Sequence, residues 1–139
     1  MQIGLFFGKE MGKNLLNTPW LKDVDLLVPI PLHPNKELER GYNQSKVLCD
    51  GISETTELPI QPILIKKKSG KSATKGNRLE RMNSRKIEFQ FEGKIPSNVN
   101  HILIVDDVIT TGATLESAFH VLRKEFQGKI SVVSIAHTF

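Results

Sequence analysis

Ile102-Leu-Ile-Val-Asp-Asp-Val-Ile-Thr-Thr-Gly-Ala-Thr114 decides how this chain is read. Four consecutive apolar residues, Ile102 to Val105, describe a strand buried on both faces, and a run of that kind belongs to a parallel sheet covered by helices. The strand is expected to end in two adjacent carboxylates, Asp106 and Asp107. Two such charges about 5 Å apart at an effective dielectric near 20 repel by roughly 3 kcal/mol, so their neighbourhood must offer compensation. Vicinal hydroxyls compensate by donating hydrogen bonds, and a hard cation does so by charge. The next residues, Thr110, Thr111, Gly112, Ala113 and Thr114, are small and lead into a helix. Backbone N–H groups and the helix dipole can hold a phosphate there, with threonine hydroxyls as further donors. Hydroxyls at one end and a phosphate at the other suit a phosphorylated pentose.

Working outward, the spacing predicts alternating elements. Ile3, Phe7, Met11 and Leu15 form an i, i+4 series that predicts a helix over 3–16 with those residues on its apolar face, despite Gly4, Gly8 and Gly12. Asp25 to Ile30 reads as a strand running into a loop from Pro31 to Asn43, and a helix follows over 44–55. Ile60 to Lys66 reads as a second strand, and Ile87, Phe89 and Phe91 alternate with polar residues as a half-buried strand does. The helix after the carboxylates shows Leu115, Ala118, Phe119, Leu122 and Phe126 on one face, with Gly128 as its stop, and the last strand spans 130–136. Strands and helices alternating at these spacings predict one α/β domain with a mainly parallel sheet. Ligands bind such sheets beyond the carboxyl ends of the strands, where three loops converge: 31–43, 66–83 and 106–114.

Charge is unevenly spread. The chain has 139 residues and a net charge of +4, but Lys66 to Lys86 holds nine basic residues against Glu80 alone, a local +8, which leaves −4 for the remainder. A stretch this basic suits a polyphosphate, and it is also compatible with nucleic acid. No segment approaches the run of about 18 apolar residues that a membrane span needs, and the first twelve residues lack a secretion signal, so a cytoplasmic protein is expected. The single cysteine, Cys49, excludes an internal disulfide and is expected to be a packed, inert thiol. His33 falls in a predicted ligand loop, while His101, His120 and His137 are scattered without metal-ligand spacing. Trp20 and Tyr42 read as packing residues, and 6% aromatics speaks against a single-strand nucleic-acid binder.

Over its whole length, Ile102 to Thr114 resembles the phosphoribosyl pyrophosphate (PRPP) binding fingerprint of the type I phosphoribosyltransferases. Within that superfamily, Val28-Pro-Ile-Pro-Leu-His-Pro34 followed by Arg40-Gly-Tyr-Asn-Gln44 resembles the competence protein ComF family, and Arg78-Leu-Glu-Arg81 resembles its basic loop. The amidophosphoribosyltransferase domain of purine synthesis is similar too. The resemblance implies a Rossmann-like type I phosphoribosyltransferase fold, in a single domain over 1–139 without the N-terminal zinc module of longer ComF-like proteins. It implies Asp106 and Asp107 on the ribose hydroxyls and, indirectly, on Mg2+, with Thr110, Thr111, Gly112, Ala113 and Thr114 on the 5-phosphate. Arg40 and Asn43 would face the pyrophosphate, with Lys75, Arg78 and Arg81 closing over it. Asp106, Asp107 and Arg40 are the residues it puts nearest the chemistry. The implied activity is phosphoribosyl transfer from PRPP to a nitrogen nucleophile. The alternative is a non-catalytic PRPP or nucleotide module linked to DNA uptake or regulation, and in either case a homodimer is the default for a small α/β protein.

Overall fold

The computed structural model describes residues 2–66 and 89–138. The basic stretch with Lys75, Arg78 and Arg81, and Ile87 of the predicted half-buried strand, lie outside the described residues. Helix α1 (Gln2–Leu16) leads through a 3-10 turn (Pro19–Asp23) into β1 (Leu26–Pro29). Helices α2 (Pro34–Arg40) and α3 (Gln44–Thr56) follow, then β2 (Leu64–Lys66), β3 (Phe89–Phe91), β4 (His101–Ile109), α4 (Ala113–Glu125) and β5 (Lys129–His137). The main sheet is parallel, in the order β1-β4-β5, and β2 pairs antiparallel with β3 in a separate ribbon. The strand segment before β2 touches the main sheet through a parallel bridge between Leu27 and Ile60.

Central position explains why β4 is written in apolar residues. Ile102, Leu103, Ile104 and Val105 are all fully buried. Ile102 and Ile104, with Leu26 and Val28 of β1, pack under Ala118, Leu122 and the following Phe126. Leu103 and Val105, with Leu27, pack against Leu48, Cys49 and Ile52 of α3. Each fully buried aliphatic side chain contributes about 1.5–3 kcal/mol, so this strand anchors both core layers at once. Cys49 is sealed within the second layer, and burial pushes its thiol up to about 12, as an inert packing residue requires.

The structure departs from the sequence reading in five places. Helix α1 is present, but its predicted apolar face is buried only in its second half: Leu15 is buried and Met11 packs against the same core layer, while Ile3 and Phe7 are exposed and Gly8 and Gly12 face inward in their place. The glycines let α1 lie backbone to backbone on α3, where a Cβ built on Gly8 would meet the Leu48 carbonyl at 2.5 Å and one on Gly51 would meet the Gly8 backbone at 2.6 Å. The predicted 31–43 loop contains α2, because Pro34 occupies the first helical turn, His33 caps it through Nδ1 to the Asn35 amide (3.1 Å), and Gly41 closes it at φ 82°. The strand predicted from residue 60 is regular only over Leu64–Lys66, after Pro62. Strand β4 continues past the carboxylates to Ile109 rather than ending at them. On α4, Ala118 and Leu122 are buried as expected, whereas Phe119 stays partly exposed and takes the Arg123 guanidinium over its ring at 5.1 Å.

The α1–α3 contact predicts that Gly8→Ala and Gly51→Ala each lower stability by about 1–3 kcal/mol through overpacking, although alanine is the better helix former. Urea unfolding midpoints check this; an unchanged midpoint for both variants would show that the helices are not in backbone contact.

Candidate functional site

Because β4 is buried between β1 and β5, its carboxyl end delivers Asp106 into a place that water barely reaches, and the residue is only 6% exposed. Its Oδ1 accepts the Asp107 amide at 2.9 Å, and the buried Ser45 hydroxyl, at the start of α3, hydrogen-bonds to it. Burial pushes the Asp106 carboxyl from 3.8 up to about 6; the side-chain hydrogen bond and negative charge of Asp107 push the same way, against the Asp107 amide and Ser45. Asp107 is half-buried, and its own Oδ1 accepts the Val108 amide at 2.8 Å. One carboxylate therefore faces the protein and the other the solvent boundary.

After Ile109 the chain turns through Thr110, Thr111 and Gly112, the first two exposed, into α4. Gly112 takes φ 81°, a left-handed conformation that side chains resist, and a Cβ there would meet nothing within 4 Å, so the space beside this half-buried residue is open. No side chain caps α4 from the Gly112 position; Thr111 Oγ1 approaches the Ala113 amide at 3.3 Å. Ala113 is exposed and Thr114 half-buried. Donor groups at the positive end of a 13-residue helix thus open outward, beside the two carboxylates.

The neighbouring helix end is arranged differently. Asn43 caps α3, accepting the Ser45 amide (2.9 Å) and the Lys46 amide (3.4 Å) on Oδ1, while its Nδ2 donates to the Ile30 carbonyl at 3.2 Å. Asn43 thereby ties α3 to the exit of β1. Arg40 is exposed and its guanidinium donates to Gln44 at 3.1 Å. A cleft of about 410 Å3 opens alongside, lined by Pro31, Leu32, Asn43, Lys46 and Lys66 among others. Burial, then the charge of Lys36, lowers the Lys66 pKa. The larger cavity of about 540 Å3, between α1 and α3 around Leu5 and Val47, contains none of these residues.

The structure thus brings Asp106, Asp107 and the 110–114 turn together, and sets Asn43 two residues from the Ser45 that touches Asp106. Arg40 stands on the surface at the end of α2. Ser45 is the residue that sequence reasoning missed; its signal was a small hydroxyl one step inside a capped helix whose next buried positions, Val47, Leu48, Cys49 and Ile52, are apolar. Trp20 packs on the second core layer and tilts over His101 with ring centroids 6.0 Å apart. His101 is buried at the opposite end of β4, where its Nε2 meets Ser131 Oγ at 2.7 Å. Among the described residues no group of three or more His, Cys, Asp or Glu side chains could hold a metal ion by itself. Likewise no helix among them is long and apolar enough to cross a membrane.

No protein-family model matches the chain. Curated relatives do: Competence protein ComFC of Bacillus subtilis is 36% identical over 109 residues (78% of this chain, 42% of the relative). Competence protein F of Haemophilus influenzae is 30% identical over 121 residues (86% and 53%), and the DNA utilization protein YhgH of Escherichia coli K12 27% over 121 (87% and 53%). The chain spans about half the length of the curated relatives it matches. Among solved structures, the Helicobacter pylori xanthine-guanine-hypoxanthine phosphoribosyltransferase superposes with a TM-score of 0.63 at 17% identity, covering 96% of this chain and 73% of that one. The B. subtilis glutamine PRPP amidotransferase superposes with 0.57 at 20% identity, covering 91% and 25%. The fold is that of the type I phosphoribosyltransferases, and the sequence relatives are the ComF-type proteins.

The raised Asp106 pKa has a consequence for stability. Above the unfolded value of 3.8 the unfolded chain surrenders this proton more readily than the folded one, so folding stability from this group is complete below pH 3.8 and is lost as pH rises toward about 6. Asp106→Asn removes that loss. At pH 7.5 it is expected to raise stability by up to about 3 kcal/mol, with the gain shrinking toward zero near pH 4. Thermal melts across that range check both the sign and the window.

Proposed function

Starting from a homologue of the ComF-type proteins built on the phosphoribosyltransferase fold, we propose that the chain binds PRPP with Mg2+ and transfers its phosphoribosyl group to a nitrogen nucleophile, releasing pyrophosphate. The observation that carries this reading is a buried, high-pKa carboxylate beside a solvent-facing one, followed within a few residues by an open glycine turn into a helix N-terminus. Asp106 and Asp107 accept hydrogen bonds from the two ribose hydroxyls. The amides of the 110–114 turn and the threonine hydroxyls take the 5-phosphate. The pentose therefore lies across the end of β4 with its anomeric carbon turned toward the exits of β1 and β2.

In the transfer, the bond from the anomeric carbon to a pyrophosphate oxygen breaks and a bond to nitrogen forms, with positive charge growing on the ribose ring and negative charge on the leaving group. The protein's task is to hold the sugar, stabilise the departing charge and keep water away. The paired carboxylates lie on the side where the ring turns positive. Arg40, with Lys75, Arg78 and Arg81 of the basic stretch, supplies cations for the leaving group. Mg2+ is ordinarily bound by one or two carboxylates together with substrate oxygens, and Asp106 with Asp107 fits that donor set, adding positive charge for the pyrophosphate when bound.

A second reading has its own support, since relatives of this chain are named for competence and DNA utilization rather than for a transferase. In that reading the pocket senses PRPP or a nucleotide without turnover, and the +8 stretch takes nucleic acid. Pyrophosphate release with a panel of nitrogenous acceptors separates the two. Binding without release selects the sensor, and absence of binding in the presence of Mg2+ rejects both.

Titration calorimetry is expected to give a Kd of about 1 mM or tighter that requires Mg2+, and Asp107→Asn is expected to weaken it at least ~10-fold while leaving the melting temperature nearly unchanged. Hydroxyl donors favour the ionised form of Asp106, so binding near pH 6 is expected to release about half a proton, falling toward none at pH 8. Repeating the titration in buffers of different ionisation enthalpy measures that proton. Uptake in place of release would contradict the assignment of Asp106 to the ribose hydroxyls.

A further inference from the structure

We propose that two copies of this chain join through β5, antiparallel and edge to edge, so that the parallel sheets of both continue into one. Among the described residues β5 has a sheet neighbour on one side only, β4. The Lys129 amide donates to the Asn100 carbonyl at 2.9 Å, which turns the odd-numbered residues toward β4 over the first part of the strand and leaves the amides and carbonyls of Ile130, Val132 and Ser134 on the outer edge; beyond Ser134 the register skips Ile135 and the alternation reverses, with the Thr138 amide donating to the Ile109 carbonyl. This edge lacks the usual protection: between Lys129 and His137 there is no charge, no proline and no glycine, and Val132 and Ile135 are 40% and 44% exposed.

The same flank carries the apolar ridge that α1 does not bury in its own core. Ile3, Phe6 and Phe7 are 74%, 59% and 42% exposed, and the rings of Phe6 and Phe7 stack edge to face at 5.7 Å. A groove of about 390 Å3 joins the two elements, lined by Phe7, Met11 and Leu15 from α1 and by Val133 and Ile135 from β5. Helix α1 and the Val133–Ile135 face of the strand thus adjoin, while Val132, paired with Ile104, presents its side chain on the opposite face of the same edge.

A second copy fits this surface on three grounds. With the dyad at Val132, the outward groups pair with themselves: Val132 opposite Val132, and Ile130 opposite Ser134, giving about six hydrogen bonds between uncharged segments. Because that dyad is perpendicular to the sheet, both α1 helices lie on the same face and meet across it, ridge against ridge. The five exposed apolar side chains together offer on the order of 500 Å2 per copy, or about 1,000 Å2 for the pair, which reaches the lower bound of a specific protein interface.

Sedimentation equilibrium of the full chain from about 1 to 200 μM is expected to show a monomer–dimer equilibrium with a micromolar Kd. Val132→Pro removes only an outward amide and leaves the β4–β5 ladder intact, so it is expected to weaken the dimer at least ~10-fold. Phe7→Lys, at an exposed position, is expected to do the same and keeps the test valid should the proline variant fail to fold. Hydrogen exchange at Ile130, Val132 and Ser134 is expected to slow as concentration rises. A monomer throughout the range, a dimer that survives both substitutions, or exchange at those amides that is independent of concentration would each overturn the proposal.

Discussion

An aspartate held at the dry end of the central strand is the constraint on which the site depends. Raising its pKa from 3.8 to about 6 means that keeping it ionised at neutral pH costs the folded state on the order of 3 kcal/mol, against a typical total stability of about 5–15 kcal/mol. The cost follows from placement. Four fully buried residues precede Asp106 on β4, strands flank it on both sides, and its nearest charge is another carboxylate. An asparagine would occupy the same space without that penalty. What a carboxylate adds is negative charge and a second acceptor oxygen for donors or a cation, and Asp107, half-buried, stands beside it at the solvent boundary.

The helices α3 and α4 both begin near this end of the sheet, and their N-termini differ in what fills them. At α3 the Asn43 side chain fills the N-terminal position, and its Nδ2 is anchored on β1, so the amides of Ser45 and Lys46 already have an acceptor. At α4 a glycine with no side chain stands in the same position. The difference between a closed and an open N-terminus is one side chain, and the open one lies on the strand that carries the carboxylates. Asn43 therefore acts on the site through structure: it fixes the start of α3 and with it Ser45, which supplies Asp106 with a hydrogen bond that partly offsets its burial.

Much of this was legible in the sequence, for reasons that mark where legibility stops. Ile102 to Val105 could be read because burial on two faces demands a continuous apolar run, and the turn into α4 because Gly112 has a conformational requirement no other residue meets as easily. Helix α1 was recognised and its face misjudged. An i, i+4 apolar series says that one side of a helix avoids water but not which neighbour covers it, and backbone contact through Gly8, Gly12 and Gly51 depends on a helix about 40 residues away in the chain. Pro34 fell inside the expected 31–43 loop, yet it stands at a helix start, where its missing N–H has no partner to lose. Ser45 left almost no mark, since a single buried hydroxyl acquires meaning only from the carboxylate that folding brings to it.

The division of α1 into a glycine face and an apolar flank also ties the edge of the sheet to its centre. Had the helix turned Ile3 and Phe7 onto α3, side-chain packing would have held the two axes some 8–10 Å apart. Glycine contact draws α1 down onto α3 and displaces the apolar ridge sideways, over the groove that adjoins Val133 and Ile135. Strand β5 in turn lies in register beside the carboxylate strand, with Ser134 opposite Asp106 and Ala136 opposite Val108. A partner strand along the outer edge of β5 would hold that register from the far side, one strand away from the acids, and would convert the end of a three-stranded sheet into the middle of a larger one. The surface left open on the flank is thus an outcome of how α1 packs on α3, the same helix whose start brings Ser45 to Asp106.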